Sequence, residues 1–221
     1  MKTIFYSLFI LLVSFCTLQS TLTYAQTQHG IFNDKNLLEE YSKQYANEPK
    51  NVLLAMVDDE TLSQYKTAAA VRIFREKFAQ VIFSREKKLA IRSLIRRLSR
   101  TDSIFVEIEI MYTLCEMDRY KYFKSMVPNL IRDLDHYNTT ANELSFTYIN
   151  NIISSGQNRA REARIIFNTL RKILFLSRKK IRNITEPNER LKQKIELLRW
   201  SIKILGNQEL KRLPPETLHL F

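Results

Sequence analysis

The carboxylates Glu107, Glu109, Glu116 and Asp118 are the side chains of this chain whose spacing comes nearest to that of an acid–base pair. Glu109 and Glu116 stand seven residues apart, two turns along one helical face, where one protonated and one ionised carboxyl would suit general acid–base work. Arg97, Arg100, Arg119 and Lys121 lie close by in sequence, and salt bridges between neighbouring helices are the preferred use of the same carboxylates. Asp133, Asp135 and His136 share a helix end and read as its polar cap rather than as a metal site. His29, His136 and His219 are scattered, so no histidine pair has ligand spacing, and no Gly-rich phosphate loop, Gly-x-Ser-x-Gly elbow or Cys-x-x-Cys occurs. The sequence therefore offers no catalytic residue, no metal ligand set and no cofactor motif. The expectation is a non-enzymatic scaffold or adaptor, with a helical enzyme built on Glu109 and Glu116, or a structural spacer without a ligand of its own, as the alternatives.

Basic residues form two rows at helical spacing. Lys88, Arg92 and Arg96, continued by Arg100, make one; Arg164, Arg171 and Arg178, close to Lys172, Lys179 and Lys180, make the other. The excess charge is unevenly placed: residues 26–156 hold 18 basic and 17 acidic side chains, whereas residues 157–221 hold 16 and 6. A solvated helix face is the plain reading of the first row and a ligand surface for something acidic the sharper one, while the second row marks a surface that attracts an anionic partner; Lys88, Arg92, Arg96, Arg164, Arg171 and Arg178 are the candidate binding residues. The candidate partners are an acidic protein or an anionic envelope component such as lipid head groups, with peripheral membrane contact. Nucleic acid is disfavoured, since no recognisable nucleic-acid module accompanies the charge and the chain begins like an exported one.

That beginning is Lys2, an apolar run from Ile4 to Leu18, a polar stretch, and Thr23-Tyr24-Ala25 before Gln26. The pattern predicts a secretory signal over residues 1–25, cut after Ala25, and hence a periplasmic or extracellular protein. The run has 15 residues, short of the ~20 that a spanning helix needs. Val13-Ser14-Phe15-Cys16 resembles a bacterial lipoprotein signal and leaves lipid anchoring at Cys16 as an alternative, against which Phe15 argues. Cleavage would leave Cys115 alone among Met111, Tyr112, Leu114 and Met117, a buried small hydrophobe in a domain without an intrachain disulfide.

The elements that must carry these residues are helices. Only 3 Gly and 5 Pro occur, no Asn-Gly or Asp-Gly marks a hairpin, and long segments repeat apolar residues at three- and four-residue spacing. Helices are expected over about 34–46, 52–57, 58–83, 84–99, 104–117, 120–137, 141–154, 159–180 and 188–205. Asp58-Asp59-Glu60-Thr61 reads as an acidic helix start and Ser84-Arg85-Glu86-Lys87 as a capping sequence. First helices of successive pairs begin near Lys66, Ile104, Glu143 and Asn188, at offsets of 38, 39 and 45 residues; second helices begin near Glu86, Tyr120 and Arg159, at offsets of 34 and 39. The clearest unit is residues 105–137, FVEIEIMYTLCEMDRYKYFKSMVPNLIRDLDHY, whose Met126-Val127-Pro128-x-Leu130-Ile131-x-x-Leu134-Asp135 segment resembles the second helix of a HEAT repeat. The chain thus resembles a HEAT or armadillo repeat protein over about residues 61–205. The resemblance implies an all-α fold, a short right-handed α-solenoid of stacked antiparallel helix pairs, with a curved surface lined by second helices and used as a binding scaffold. The alternative is a non-repetitive helical bundle. Residues 26–60 would be leader and capping helices, and residues 206–221 a tail.

Phe74, Phe78, Phe83, Phe105, Phe146, Phe167, Phe175 and Trp200 are expected in the core, and Tyr120 and Tyr122 are candidates for exposure at a helix start. Asn138-Thr139-Thr140 and Asn183-Ile184-Thr185 are formal glycosylation sequons. Pro214-Pro215 stops the last helix and directs the tail back to cover it.

Overall fold

A computed structural model describes residues 34–155 and 159–221; the signal-like segment 1–25 with Cys16, the leader residues to 33 with His29, and Gly156 lie outside the described residues. The architecture is all-α, with no strand among the described residues. In chain order the helices are α1 (34–44), α2 (Lys50–Asp58), α3 (Gln64–Phe78), α4 (Ser84–Leu98), α5 (Ile104–Met117), α6 (Arg119–Asp133), α7 (Thr139–Ser154), α8 (Arg159–Ile181) and α9 (Glu189–Leu205). Two 3-10 segments, Asn207–Arg212 and Pro215–Leu220, follow.

Helix α5 is the centre, and its composition says why. The run IFVEIEIMYTLCEM is apolar on every side, and a helix of that kind must be enclosed. Eleven of its residues are buried, from Phe105 to Met117, and α3, α4, α6 and α7 all pack on it. Each fully buried Ile, Leu or Met there contributes about 1.5–3 kcal/mol. Helix α3 brings Thr67, Ala68, Ala69 and Ala70 to full burial where it passes between α2 and α5, the small side chains allowing close approach. Ser103, Asp118, Asn138 and Asn188 cap α5, α6, α7 and α9 by accepting from the backbone N–H three residues on. Pro128 is accommodated within α6, which continues to Asp133.

Three local readings are corrected. Asp58-Asp59-Glu60-Thr61 does not start a helix: Asp59 Oδ1 accepts from the Thr61 N–H (2.8 Å) and hydroxyl (2.6 Å), a local turn that competes with helix, and α3 begins later, at Gln64. The α3 segment also stops at Phe78, not Phe83, and Phe83, 77% exposed, is the residue preceding α4 rather than core. Ser84 makes no capping bond, because Phe83 occupies the cap position and Glu86 instead accepts from Lys50 Nζ at 2.6 Å.

The main helix contacts are α2 on α3, α3 on α5, α5 on α7, α4 on α5, α5 on α6, α6 on α7 and α8, and α8 on α9. The unit over residues 105–137 packs as the expected pair, α5 on α6. Elsewhere the partner of α3 in the chain is α2 rather than α4, and that of α8 is α9 rather than α7. Period alone cannot fix this phase, since an amphipathic helix offers its apolar stripe equally to the neighbour before it and the neighbour after it.

Candidate functional site

Helices α3, α5 and α7 present a cleft of ≈ 570 Å³ that α1 borders. Its floor is a buried charged network. Glu109 of α5 is 0% exposed and both its carboxylate oxygens are engaged: Oε1 accepts from Arg72 Nε (2.8 Å) and from the Tyr148 hydroxyl (2.6 Å) and has Arg72 Nη2 2.7 Å away as an ion pair, while Oε2 accepts from Arg75 Nη1. Arg72 and Arg75 stand one helical turn apart on α3, which aims both guanidiniums at the same carboxylate. Arg75 further reaches the Tyr148 hydroxyl at 3.3 Å, and its guanidinium carbon lies 4.5 Å from the Tyr112 ring centroid and 4.8 Å from that of Tyr148. The two tyrosine rings stack with centroids 4.0 Å apart. Burial alone would lower the Arg75 pKa, but the Glu109 carboxylate outweighs it and holds the guanidinium charged; burial and then Glu109 push the Tyr148 hydroxyl well above the ordinary tyrosine range.

The carboxylate pair read from the sequence is therefore split. Glu109 has neither a free oxygen nor access to solvent, and its partners are Arg72 and Arg75 rather than Arg97, Arg100, Arg119 or Lys121. Glu116 lies on the cleft wall and accepts from Gln80 Nε2 at 3.2 Å. Arg119 instead forms a two-pronged pair with Glu162 of α8, at 2.6 and 2.7 Å. Arg72 and Arg75 were missed as Glu109's partners; the one signal in the sequence is their spacing of three on one helix, which does not by itself say which carboxylate they meet.

The second basic row sits beside an apolar trough. Arg171, Lys172, Phe175 and Leu176 of α8 face Arg212, Leu213, Pro214 and Pro215 of the tail around a volume of ≈ 600 Å³. Phe175 is 54% exposed and Leu176 82%, so the expectation that Phe175 belongs to the core is corrected: they lie on the face of α8 away from the one that buries Leu174 and Ile181. Arg164, Arg171 and Arg178 have different surroundings. Arg164 Nη1 donates to Glu209 Oε1 at 2.6 Å, and with Arg212 on Glu209 Oε2 at 2.8 Å it clamps the first 3-10 segment. Arg178 donates to the Phe175 carbonyl at 2.7 Å and covers the Phe175 ring at 4.1 Å. Arg171 lines the trough and has no ion pair among the described residues.

No family model matches the chain, and neither the curated proteins nor the solved structures compared with it give a match.

Lys88, Arg92 and Arg96 are exposed along α4, with Arg96 3.9 Å from Asp58 and Arg100 2.7 Å from Glu60. Helices α4 and α8 are not among the packed neighbours, so the two basic rows are separate surfaces. Tyr120 is exposed as its place suggested and carries the Arg161 guanidinium at 4.4 Å, whereas Tyr122 turns inward and is buried. Among the described residues no three His, Cys, Asp or Glu side chains are disposed to hold a metal ion, and no helix is long and apolar enough to cross a membrane. His136 uses Nδ1 to accept from the Asn138 N–H at 3.2 Å, and burial followed by Arg190 lowers its pKa. The Asn138 sequon is structurally occupied, its amide donating to Asp34 at 2.6 Å and accepting from Ala141 N–H at 3.2 Å; Asn183 is exposed.

Proposed function

We propose that this chain is an exported, non-enzymatic helical scaffold, a short right-handed solenoid of HEAT-like pairs, which captures an acidic protein segment in the trough between α8 and the tail. The export reading rests on residues 1–25. The solenoid reading is supported by the 38- and 39-residue offsets and by the succession of α3, α5 and α7, each packed on the next; a non-repetitive bundle is the alternative. The observation that carries the function is the trough itself. Phe175 and Leu176 stand open to solvent beside Arg171, Lys172 and Arg212, in the third of the chain that holds 16 basic and 6 acidic residues. Exposed apolar anchors beside Arg171 and Lys172, neither of which has an ion pair among the described residues, and beside Arg212, which Glu209 pairs, are complementary to a segment that alternates acidic and large apolar side chains.

Fluorescence anisotropy with a labelled peptide Glu-Leu-Glu-Phe-Glu-Leu tests this. Saturable binding that weakens with salt and is lost in Arg171→Glu/Lys172→Glu and in Leu176→Asp supports the reading. Equal binding by those variants overturns it, as does binding to phosphatidylglycerol vesicles in the absence of any peptide binding. Leu176 is so exposed that its substitution leaves the melting temperature unchanged, which separates loss of binding from loss of fold.

A further inference from the structure

The cleft over α3, α5 and α7 is a second site, on a different set of helices from the trough, and its charges are arranged by depth. The floor carries two guanidiniums against the one buried carboxylate of Glu109, and Glu76 at the edge reaches Arg75 Nη2 at 3.5 Å, which leaves Arg72 as the guanidinium with capacity to spare. Arg72, 15% exposed, spends Nε and Nη2 on Glu109 and keeps Nη1 without a partner among the described residues. The walls carry the opposite sign. Glu39 of α1, Glu76 of α3, Glu116 of α5 and Glu143 of α7 all border the opening, one carboxylate from each helix, against Lys35 alone. Glu39, Glu76 and Glu143 are exposed. In a chain of net charge +12, a net acidic mouth above a cationic floor reverses the general field of the protein. The stacked Tyr112 and Tyr148 rings add flat, rigid apolar wall between the two levels.

A buried Arg–Glu–Arg network is costly to desolvate and contributes little net stability compared with apolar packing, so its place at the base of an open cleft points to recognition. We infer that this cleft binds a short basic peptide by its free carboxy-terminus, the terminal carboxylate seated on Arg72 and the peptide's ammonium or guanidinium groups held by Glu39, Glu76, Glu116 and Glu143. Both ends of the ligand are needed. A purely anionic ligand meets four carboxylates on its way in, and a purely cationic one meets the guanidiniums below. The volume of ≈ 570 Å³ lies within the about 300–1,000 Å³ of ordinary small-ligand clefts.

Isothermal titration of the chain with Lys-Lys-Ala, its carboxy-terminal amide, Asp-Asp-Ala, spermidine and inorganic phosphate decides the matter. Lys-Lys-Ala binds saturably, the amide about tenfold or more weaker because a charge-assisted contact to Arg72 is lost, and the other three not measurably. Glu143→Lys weakens Lys-Lys-Ala at least as much without altering the melting temperature, since Glu143 is exposed and accepts no bond through its side chain among the described residues. Arg72→Lys removes the preference for the free acid over the amide; should that variant fail to fold, the amide comparison on the parent chain carries the same information. Equal binding of acid and amide, tighter binding of spermidine or phosphate, or no saturable binding of any probe overturns the inference. The trough variants Arg171→Glu/Lys172→Glu retain Lys-Lys-Ala binding, which keeps the fates of the two sites distinct.

Discussion

Glu109→Gln is the substitution that most directly tests how the cleft floor is built. The glutamine has the shape of the glutamate but no charge, and it turns one acceptor into an N–H group facing guanidinium donors. Arg72 then lies without a counter-ion and Arg75, almost wholly buried, keeps only Glu76 at 3.5 Å; removing one partner of a buried pair costs about 3–5 kcal/mol. Against a total stability of about 5–15 kcal/mol the chain stays folded or sits near the edge of folding. With a urea slope of about 2 kcal/mol/M, the unfolding midpoint falls by about 1.5–2.5 M. Glu60→Gln is the matched control. It removes the carboxylate from the solvent-exposed Arg100–Glu60 pair, which is worth below about 1 kcal/mol, so its midpoint moves by less than about 0.5 M. Circular dichroism of the three proteins in urea measures both shifts. If Glu109→Gln unfolds at the same urea concentration as Glu60→Gln, the network is accessible to water and the account of the floor is wrong. A second comparison separates lost charge from lost packing: Glu109→Leu with Arg75→Met replaces part of the network by apolar groups and recovers a portion of the stability that Glu109→Gln loses.

Cys115 is buried, and burial pushes its thiol up to about 12, so Ellman's reagent leaves it unmodified in the native protein and titrates it in denaturant; rapid native labelling would contradict the packing of α5. Burial and, after it, Glu107 push the Asp133 carboxyl up to about 7, whereas an unfolded aspartate titrates near about 3.9. The folded chain keeps a proton there that the unfolded chain has released, so this contribution is fully present below about pH 4 and is lost as pH rises through about 7. Asp133→Asn accordingly melts higher than the parent at about pH 8 and not at pH 4, and an unchanged difference between the two pH values would sink the assignment. Glu209→Ala removes the carboxylate shared by Arg164 and Arg212, so trypsin cuts at Lys211 or Arg212 well before it attacks α5 or α6; simultaneous cleavage would show that the clamp does not hold the tail.

Helices were legible where composition made one answer dominate. The bounds of α5 follow from an apolar run between Ser103 and Asp118, each of which is a helix cap, and α7, α8 and α9 follow from similar breaks. Asp58-Asp59-Glu60-Thr61 misled because aspartate favours helix starts and isolated turns for the same reason, a short side chain that bonds backbone N–H groups. Phe83 and Phe175 misled because hydrophobicity reports what a residue prefers and not which face its neighbours cover: Phe83 precedes α4, and Phe175 is exposed on a helix whose Leu174 and Ile181 are buried. Of the sites, the basic trough was half visible: the arginine spacing on α8 was plain, but its apolar side is completed by Pro214 and Pro215, about forty residues later in the chain. The cleft was not visible, since Glu109 meets Arg72 and Arg75 across 37 and 34 residues and Tyr148 across 39, and the sequence states no rule for which of many charges share an interior.

Asp34 accepts from the Tyr65 hydroxyl at 2.5 Å and from the Asn138 amide at 2.6 Å, the latter across 104 residues of chain. Most helix contacts in this molecule join elements adjacent or next but one in sequence, and such local contacts close small loops at low entropic cost. The Asp34–Asn138 link closes a loop spanning half of the protein. Helix α1 is thus seated in full only when α3 and the α6–α7 turn have come together, with Leu38 buried in the core and Tyr41 packed against it. Lys35 and Glu39 come with it, so the mouth of the cleft is complete only once this long loop is closed.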